Sequence, residues 1–173
     1  KTSVYPTFNR NLHKWTKPLP DFVRFVGGLD FGGDSVGAHM SAGLLCGQTK
    51  EDQLIAIAEF EQSGPSIAER QLEWIGMCEE TVRNIWKRTG SGPRRIQWVA
   101  DRSQMFGIQM MQSAGVAVIK SKGGKRSIRS GVQLVLRRLE VRTGGPRFYY
   151  MPNLDRLPSA IERYREPDPS EYE

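Results

Sequence analysis

The sequence predicts an α/β fold: a mixed sheet of three antiparallel strands and then parallel strands, flanked by helices. Three observations carry this prediction. Three strand-like apolar runs, 23–31, 36–46 and 53–61, follow one another across short glycine-rich or polar turns, as an antiparallel meander requires. A long apolar stripe at helical spacing comes next. Short apolar runs at 96–100 and 116–119 then flank a helical segment, a crossover that makes those two strands a parallel pair.

Taken in order, residues 1–22 carry Pro6, Pro18 and Pro20 without periodicity. They predict an extended arm or interdomain linker entering a domain over 23–173, itself a piece of a larger protein. In the third run Leu54, Ala56, Ala58 and Phe60 alternate with Ile55, Ile57, Glu59 and Glu61, so its later half is expected to have one wet face. Ser66 and Glu69 have capping-box spacing behind Pro65. The stripe that follows contains Ile67, Gln71, Trp74, Ile75, Cys78, Val82, Ile85 and Trp86, and it stops at Gly90-Ser-Gly-Pro93. Ser103–Ala114 is expected to be the crossover helix. Ser127 is expected to cap another helix, with Ile128, Val132, Val135, Leu136 and Leu139 on one face. Residues 147–151 read as a short aromatic strand, and Leu154, Leu157, Ile161 and Tyr164 as a last helix.

Composition is that of an ordinary globular chain, at 38% hydrophobic and 25% charged residues. No apolar stretch reaches the roughly 20 residues of a membrane span, and the N-terminus has no apolar signal core. Cys46 and Cys78 lack a zinc-type pattern and read as buried reduced thiols in a reducing cytoplasm. The net charge of +6 is local, because Lys120 to Leu139 holds seven Lys and Arg and no acid, leaving −1 on the rest. Positive charge concentrated beside a Gly-Gly turn suits a phosphate backbone, and Arg137 and Arg138 equally suit a solvated helix face.

The residues that suggest chemistry are Asp30 and Asp101, each closing an apolar strand-like run. A carboxylate where a buried strand emerges needs a partner. Two of them from distant strands can hold a divalent metal for phosphodiester chemistry, or each can simply cap the turn that follows.

Four segments narrow the reading: Val4-Tyr-Pro-Thr-Phe-Asn-Arg10 in the arm, Gly27-Gly-Leu-Asp-Phe-Gly-Gly-Asp34, Trp98-Val-Ala-Asp-Arg-Ser103, and Lys120-Ser-Lys-Gly-Gly-Lys-Arg-Ser-Ile-Arg-Ser-Gly131. In this order they resemble the ribonuclease H-like superfamily, and within it the nuclease domain of tailed-phage terminase large subunits. The resemblance covers nearly the whole chain. It implies that Asp30 and Asp101 are two of three acidic ligands for two Mg²⁺ or Mn²⁺ ions, and that the domain cuts double-stranded concatemeric DNA during viral genome packaging in the host cytoplasm. It further implies a packaging ATPase upstream, a portal and a small terminase subunit as partners. Lys120, Lys122, Lys125, Arg126 and Arg129 would contact DNA phosphates, with Gly27, Gly28, Gly32 and Gly33 around Asp30 admitting the backbone, while Gly32 and Gly33 equally suit the turn of a hairpin. No Walker loop occurs here, so the ATPase is not in this chain.

The family's third acid follows the last helix, beyond Glu173, so the fragment is expected to lack a ligand and its activity to be incomplete. Asp155 is expected to cap a helix, while Asp168, Glu171 and Glu173 lie in a proline-rich tail. Asp34 is a candidate outer ligand or a turn residue, and Glu59 poses the same question on its strand. His39 and His13 read as packed or surface histidines, and Trp74, Trp86 and Trp98 as core. The rival readings are a ribonuclease H-like transposase or resolvase, and a noncatalytic DNA-binding or motor-docking domain.

Overall fold

The computed structural model describes residues 3–33, 39–90, 92–122 and 125–165, with the backbone alone for 125–129. Its elements in chain order are α1 (Arg10–His13), β1 (Arg24–Asp30), β2 (Ser41–Gln48), β3 (Leu54–Gln62), α2 (Ile67–Thr89), β4 (Ile96–Ala100), α3 (Met105–Ser113), β5 (Val118–Lys120), α4 (Lys125–Leu139), β6 (Phe148–Tyr150) and α5 (Arg156–Arg163). Six strands form one sheet in the order β5-β4-β1-β2-β3-β6. The first three pair antiparallel as a meander, while β4 joins β1, β5 joins β4 and β6 joins β3 in parallel. This is the mixed sheet that the periodicities predicted.

The predicted stripe of α2 lies against one face of the sheet, with Ile67, Gln71, Trp74, Ile75, Cys78, Val82 and Ile85 buried. Trp86 is only partly covered, and the Arg94 guanidinium stacks 3.6 Å from its ring centroid. Two glycines make room for the indoles beneath the helix. A Cβ on Gly27 would stand 2.1 Å from the Trp98 ring, and one on Gly43 2.3 Å from Trp74. The two rings meet edge to face at 5.6 Å, a geometry aromatic pairs favour. Cys46 and Cys78 are buried free thiols, and burial pushes both up to about 12.

The alternation expected for β3 is reset by a bulge. Leu45 pairs with Ala58 but Cys46 pairs with Ala56, so Ile57 is an extra residue in the ladder. Ile55, Ile57, Ala58 and Phe60 therefore all join the core that contains α2, whereas Leu54 and Ala56 join a second cluster with Tyr150 and Leu154. A strict period of two cannot anticipate this.

Residues 3–22 are not extended throughout. Asn9 Oδ1 caps α1 by accepting the Asn11 and Leu12 amides, His13 is fully buried with Nε2–H donating to the Leu139 carbonyl at 2.8 Å, and the Trp15 amide donates to Tyr150. The segment packs beside β6 through these bonds.

Four expected helix starts differ from those observed. Ser66 sits at φ 58° and its side chain makes no cap bond, because the turn is held instead by Arg70, which donates to Gln62 Oε1 and to the Ser63 and Pro65 carbonyls. α3 starts two residues after Ser103, whose amide and hydroxyl are taken by Asp101. α4 begins at Lys125, which places Ser127 inside the helix rather than ahead of it. Asp155 precedes α5 but makes no side-chain cap bond. Among the described residues, no helix is long and apolar enough to cross a membrane.

Candidate metal centre

β1 and β4 run parallel, and their last paired residues are Leu29 and Ala100. Asp30 and Asp101 each come one residue later, so the two carboxylates emerge side by side at the ends of strands about 4.8 Å apart. Both are exposed. Topology thus brings together residues 71 positions apart in sequence.

Each carboxylate is fixed through one oxygen. Asp101 Oδ1 accepts the Ser103 amide at 2.8 Å and the Ser103 hydroxyl at 2.7 Å. These two bonds, the amide first, hold the Asp101 carboxyl below its ordinary range. Asp30 Oδ1 accepts Gln104 Nε2–H at 2.7 Å. The Asp30 carbonyl accepts from the buried Gln71 side chain at 3.3 Å, and that amide also donates to Ala42 at 3.0 Å. Among the described residues neither Oδ2 has a hydrogen-bond partner. Two anchored carboxylates, each with an oxygen to spare, fit a hard divalent ion that keeps several waters. The described residues bring no third Asp, Glu, His or Cys into a ligand group with them.

The pair opens onto a groove of about 480 Å³ over the sheet face away from α2. This face is open over Gly28, where a Cβ would meet nothing within 4 Å. The wall opposite is α5, and its position depends on Glu59. Glu59 Oε1 accepts the Asp155 and Arg156 amides at 2.9 and 3.0 Å, and Oε2 accepts the Leu157 amide at 2.7 Å. Glu59 is therefore the cap that Asp155 was expected to provide, supplied from a strand about 96 residues away. Glu61 lies in register with Ala42 and hence in the same lateral row as Asp30, and Arg156 donates to its carbonyl.

The predicted phosphate contacts divide. Lys120 ends β5 and Lys122 follows it, both exposed. The Lys122 carbonyl accepts from Arg102 Nη1 at 3.1 Å, which ties this basic loop to the residue after Asp101. The side chains of Lys125, Arg126 and Arg129 lie outside the described residues, as do Asp34 and the tail acids Asp168, Glu171 and Glu173. His39 is an exposed residue ahead of β2 rather than on it. Its carbonyl would stand 2.0 Å from a Cβ on Gly32, so that glycine answers to a close backbone approach within the chain.

No family model matches the sequence, and no curated protein matches it. Solved structures do match its fold. The crystal structure of the g2p large-terminase nuclease domain of bacteriophage SPP1, with bound Mn, superposes at a TM-score of 0.57 with 17% identity, covering 92% of this chain and 82% of that one. The fold is that of a phage large-terminase nuclease domain. The large terminase of a thermophilic bacteriophage superposes at 0.66 with 14% identity, covering 93% of this chain but 37% of its own. This chain thus corresponds to little more than a third of that terminase.

Sequence reasoning missed Gln104, Gln71, Arg102 and Ser103. Ser103 alone carried a readable signal, since an Asp followed two residues later by Ser is a common turn pattern. Contacts of Gln71 and Gln104 with Asp30 depend on tertiary packing.

Proposed function

We propose that this chain is a metal-dependent endonuclease domain that cuts double-stranded DNA during phage genome packaging. The observation that carries the reading is the pair of adjacent strand-end carboxylates, each anchored through one oxygen and, among the described residues, unpartnered at the other, on an open groove of the large-terminase nuclease fold. Asp30 and Asp101 would hold Mg²⁺ or Mn²⁺, with two ions expected, and bound ions would supply an activated water and neutralise charge on the phosphodiester. The bound Mn of the SPP1 domain supports this choice of metal.

The chain's own residues do the rest. Ser103 and Gln104 each hold one oxygen of a carboxylate, which restricts its rotation and lowers the ordering entropy lost when a metal binds. Lys120 and Lys122, and by sequence Lys125, Arg126 and Arg129, draw in and align the phosphate backbone without reading bases. Cutting is therefore expected to be largely sequence-independent. Partners on this reading are duplex DNA, an upstream packaging ATPase, the portal and the small terminase subunit, in the host cytoplasm.

A plasmid-nicking assay in Mn²⁺ tests the reading. The intact protein, with its native C-terminus, is expected to convert supercoiled plasmid to open and linear forms, and Asp30→Asn with Asp101→Asn in that protein to lose that activity. Equal cutting by both proteins would refute it.

A further inference from the structure

We infer that Gln104 is a positioning residue that sets Asp30 against Asp101, an inference that rests on the metal-dependent reading above. Gln104 is bonded to both strand ends. Its backbone amide donates to the Asp101 carbonyl at 3.0 Å, while its side-chain Nε2–H donates to Asp30 Oδ1 at 2.7 Å and to the Phe31 carbonyl at 3.1 Å. Its Oε1 accepts the Phe31 amide at 3.2 Å. One planar amide thus holds the residue after Asp30 at both main-chain polar groups and the carboxylate as well. The clamp is reinforced by packing, because the Phe31 ring fills the place of a side chain at Gly107, where a Cβ would stand 2.4 Å from it.

The consequence is directional. With Oδ1 engaged by Gln104, the Asp30 carboxylate keeps Oδ2 for a ligand, and Asp30 lines the same groove as Asp101. Without the amide donor, Asp30 can rotate about both side-chain torsions and take solvent on either oxygen. Removing an outer partner of a ligating group typically costs about 10–100-fold in metal affinity. A residue that merely supported α3 would lower stability and leave the affinity of the folded protein alone.

Mn²⁺ titration followed by electron paramagnetic resonance tests this on five proteins: native, Gln104→Met, Gln104→Asn, Asp30→Asn and the double variant Gln104→Met with Asp30→Asn. Gln104→Met keeps length and volume but removes the donor and acceptor. It is expected to bind Mn²⁺ about 10–100-fold more weakly, to exchange its Phe31 amide faster, and to add no further loss in the Asp30→Asn background. Gln104→Asn, one methylene short of Asp30, is expected to bind as weakly as Gln104→Met, which guards against a folding defect peculiar to one variant. If Asp30→Asn weakens binding but the Gln104 variants bind as tightly as native, the positioning role is overturned alone. An equal further loss in the Asp30→Asn background would overturn it too. If Asp30→Asn leaves affinity unchanged, the metal reading falls and this inference falls with it.

Discussion

Glu59 separates a structural carboxylate from a chemical one. Glu59→Ala removes the acceptor of three first-turn amides of α5, those of Asp155, Arg156 and Leu157. Asp155 and Arg156 are exposed and Leu157 half-buried, so water replaces part of the loss. A cap loss of about 1 kcal/mol and the loss of a negative charge at a helix N-terminus, about 0.3–1 kcal/mol, together give about 2 kcal/mol. For a domain of this size that corresponds to a fall in Tm of roughly 4–8 °C. Glu59→Gln keeps one acceptor oxygen, enough for the Asp155 and Arg156 amides, but loses the charge and the acceptor of the Leu157 amide, so it should lose less than Glu59→Ala. Thermal unfolding followed by circular dichroism measures both, and Mn²⁺ titration of the folded variants should give native affinity. An unchanged Tm for Glu59→Ala, or weakened Mn²⁺ binding without a fall in Tm, would refute the assignment of this carboxylate to the helix.

Neighbouring glycines of β1 should respond oppositely. Gly27→Ala forces a methyl into the Trp98 ring and should cost about 1–3 kcal/mol in denaturant unfolding, whereas Gly28→Ala faces open space and should stay within about 0.5 kcal/mol; equal effects would contradict the assignment of faces. The Arg138 and Gln48 hydrogen bonds hold the Asp52 carboxyl below its ordinary range. A depressed folded-state pKa contributes stability above the unfolded value of about 3.9, and that contribution is lost as pH falls through the folded value. Asp52→Asn should therefore flatten the stability profile below pH ~4, by about 0.5 kcal/mol for this half-exposed pair; an unaltered acid limb would contradict it. Lys120→Ala with Lys122→Ala should weaken duplex binding and reduce the slope of log K against log salt by about 2, and an unchanged slope would remove these lysines from the DNA path.

Much of the fold was legible because local pattern and tertiary order agree here. The meander, the α2 stripe from Ile67 to Ile85 and the crossover from Ile96 to Val118 each follow from spacing alone. Where reading failed, a distant residue had displaced the local signal. Arg70 holds the turn that Ser66 was expected to cap, and Glu59 caps the helix expected to start on Asp155. The bulge at Ile57 moved Ala58 and Phe60 to the face of Ile55. The candidate site was half legible on the same grounds. Asp30 and Asp101 announce themselves by ending apolar runs, while Gln104 and Gln71 carry no mark in sequence because their partners lie on another element.

The most direct test is an anomalous-scattering map from crystals of the protein soaked in Mn²⁺. The account predicts a peak within ligand distance of Asp30 Oδ2 and Asp101 Oδ2, with Gln104 still bonded to Asp30 Oδ1. Ordered Mn²⁺ elsewhere in the molecule, with none between these two carboxylates, would contradict it.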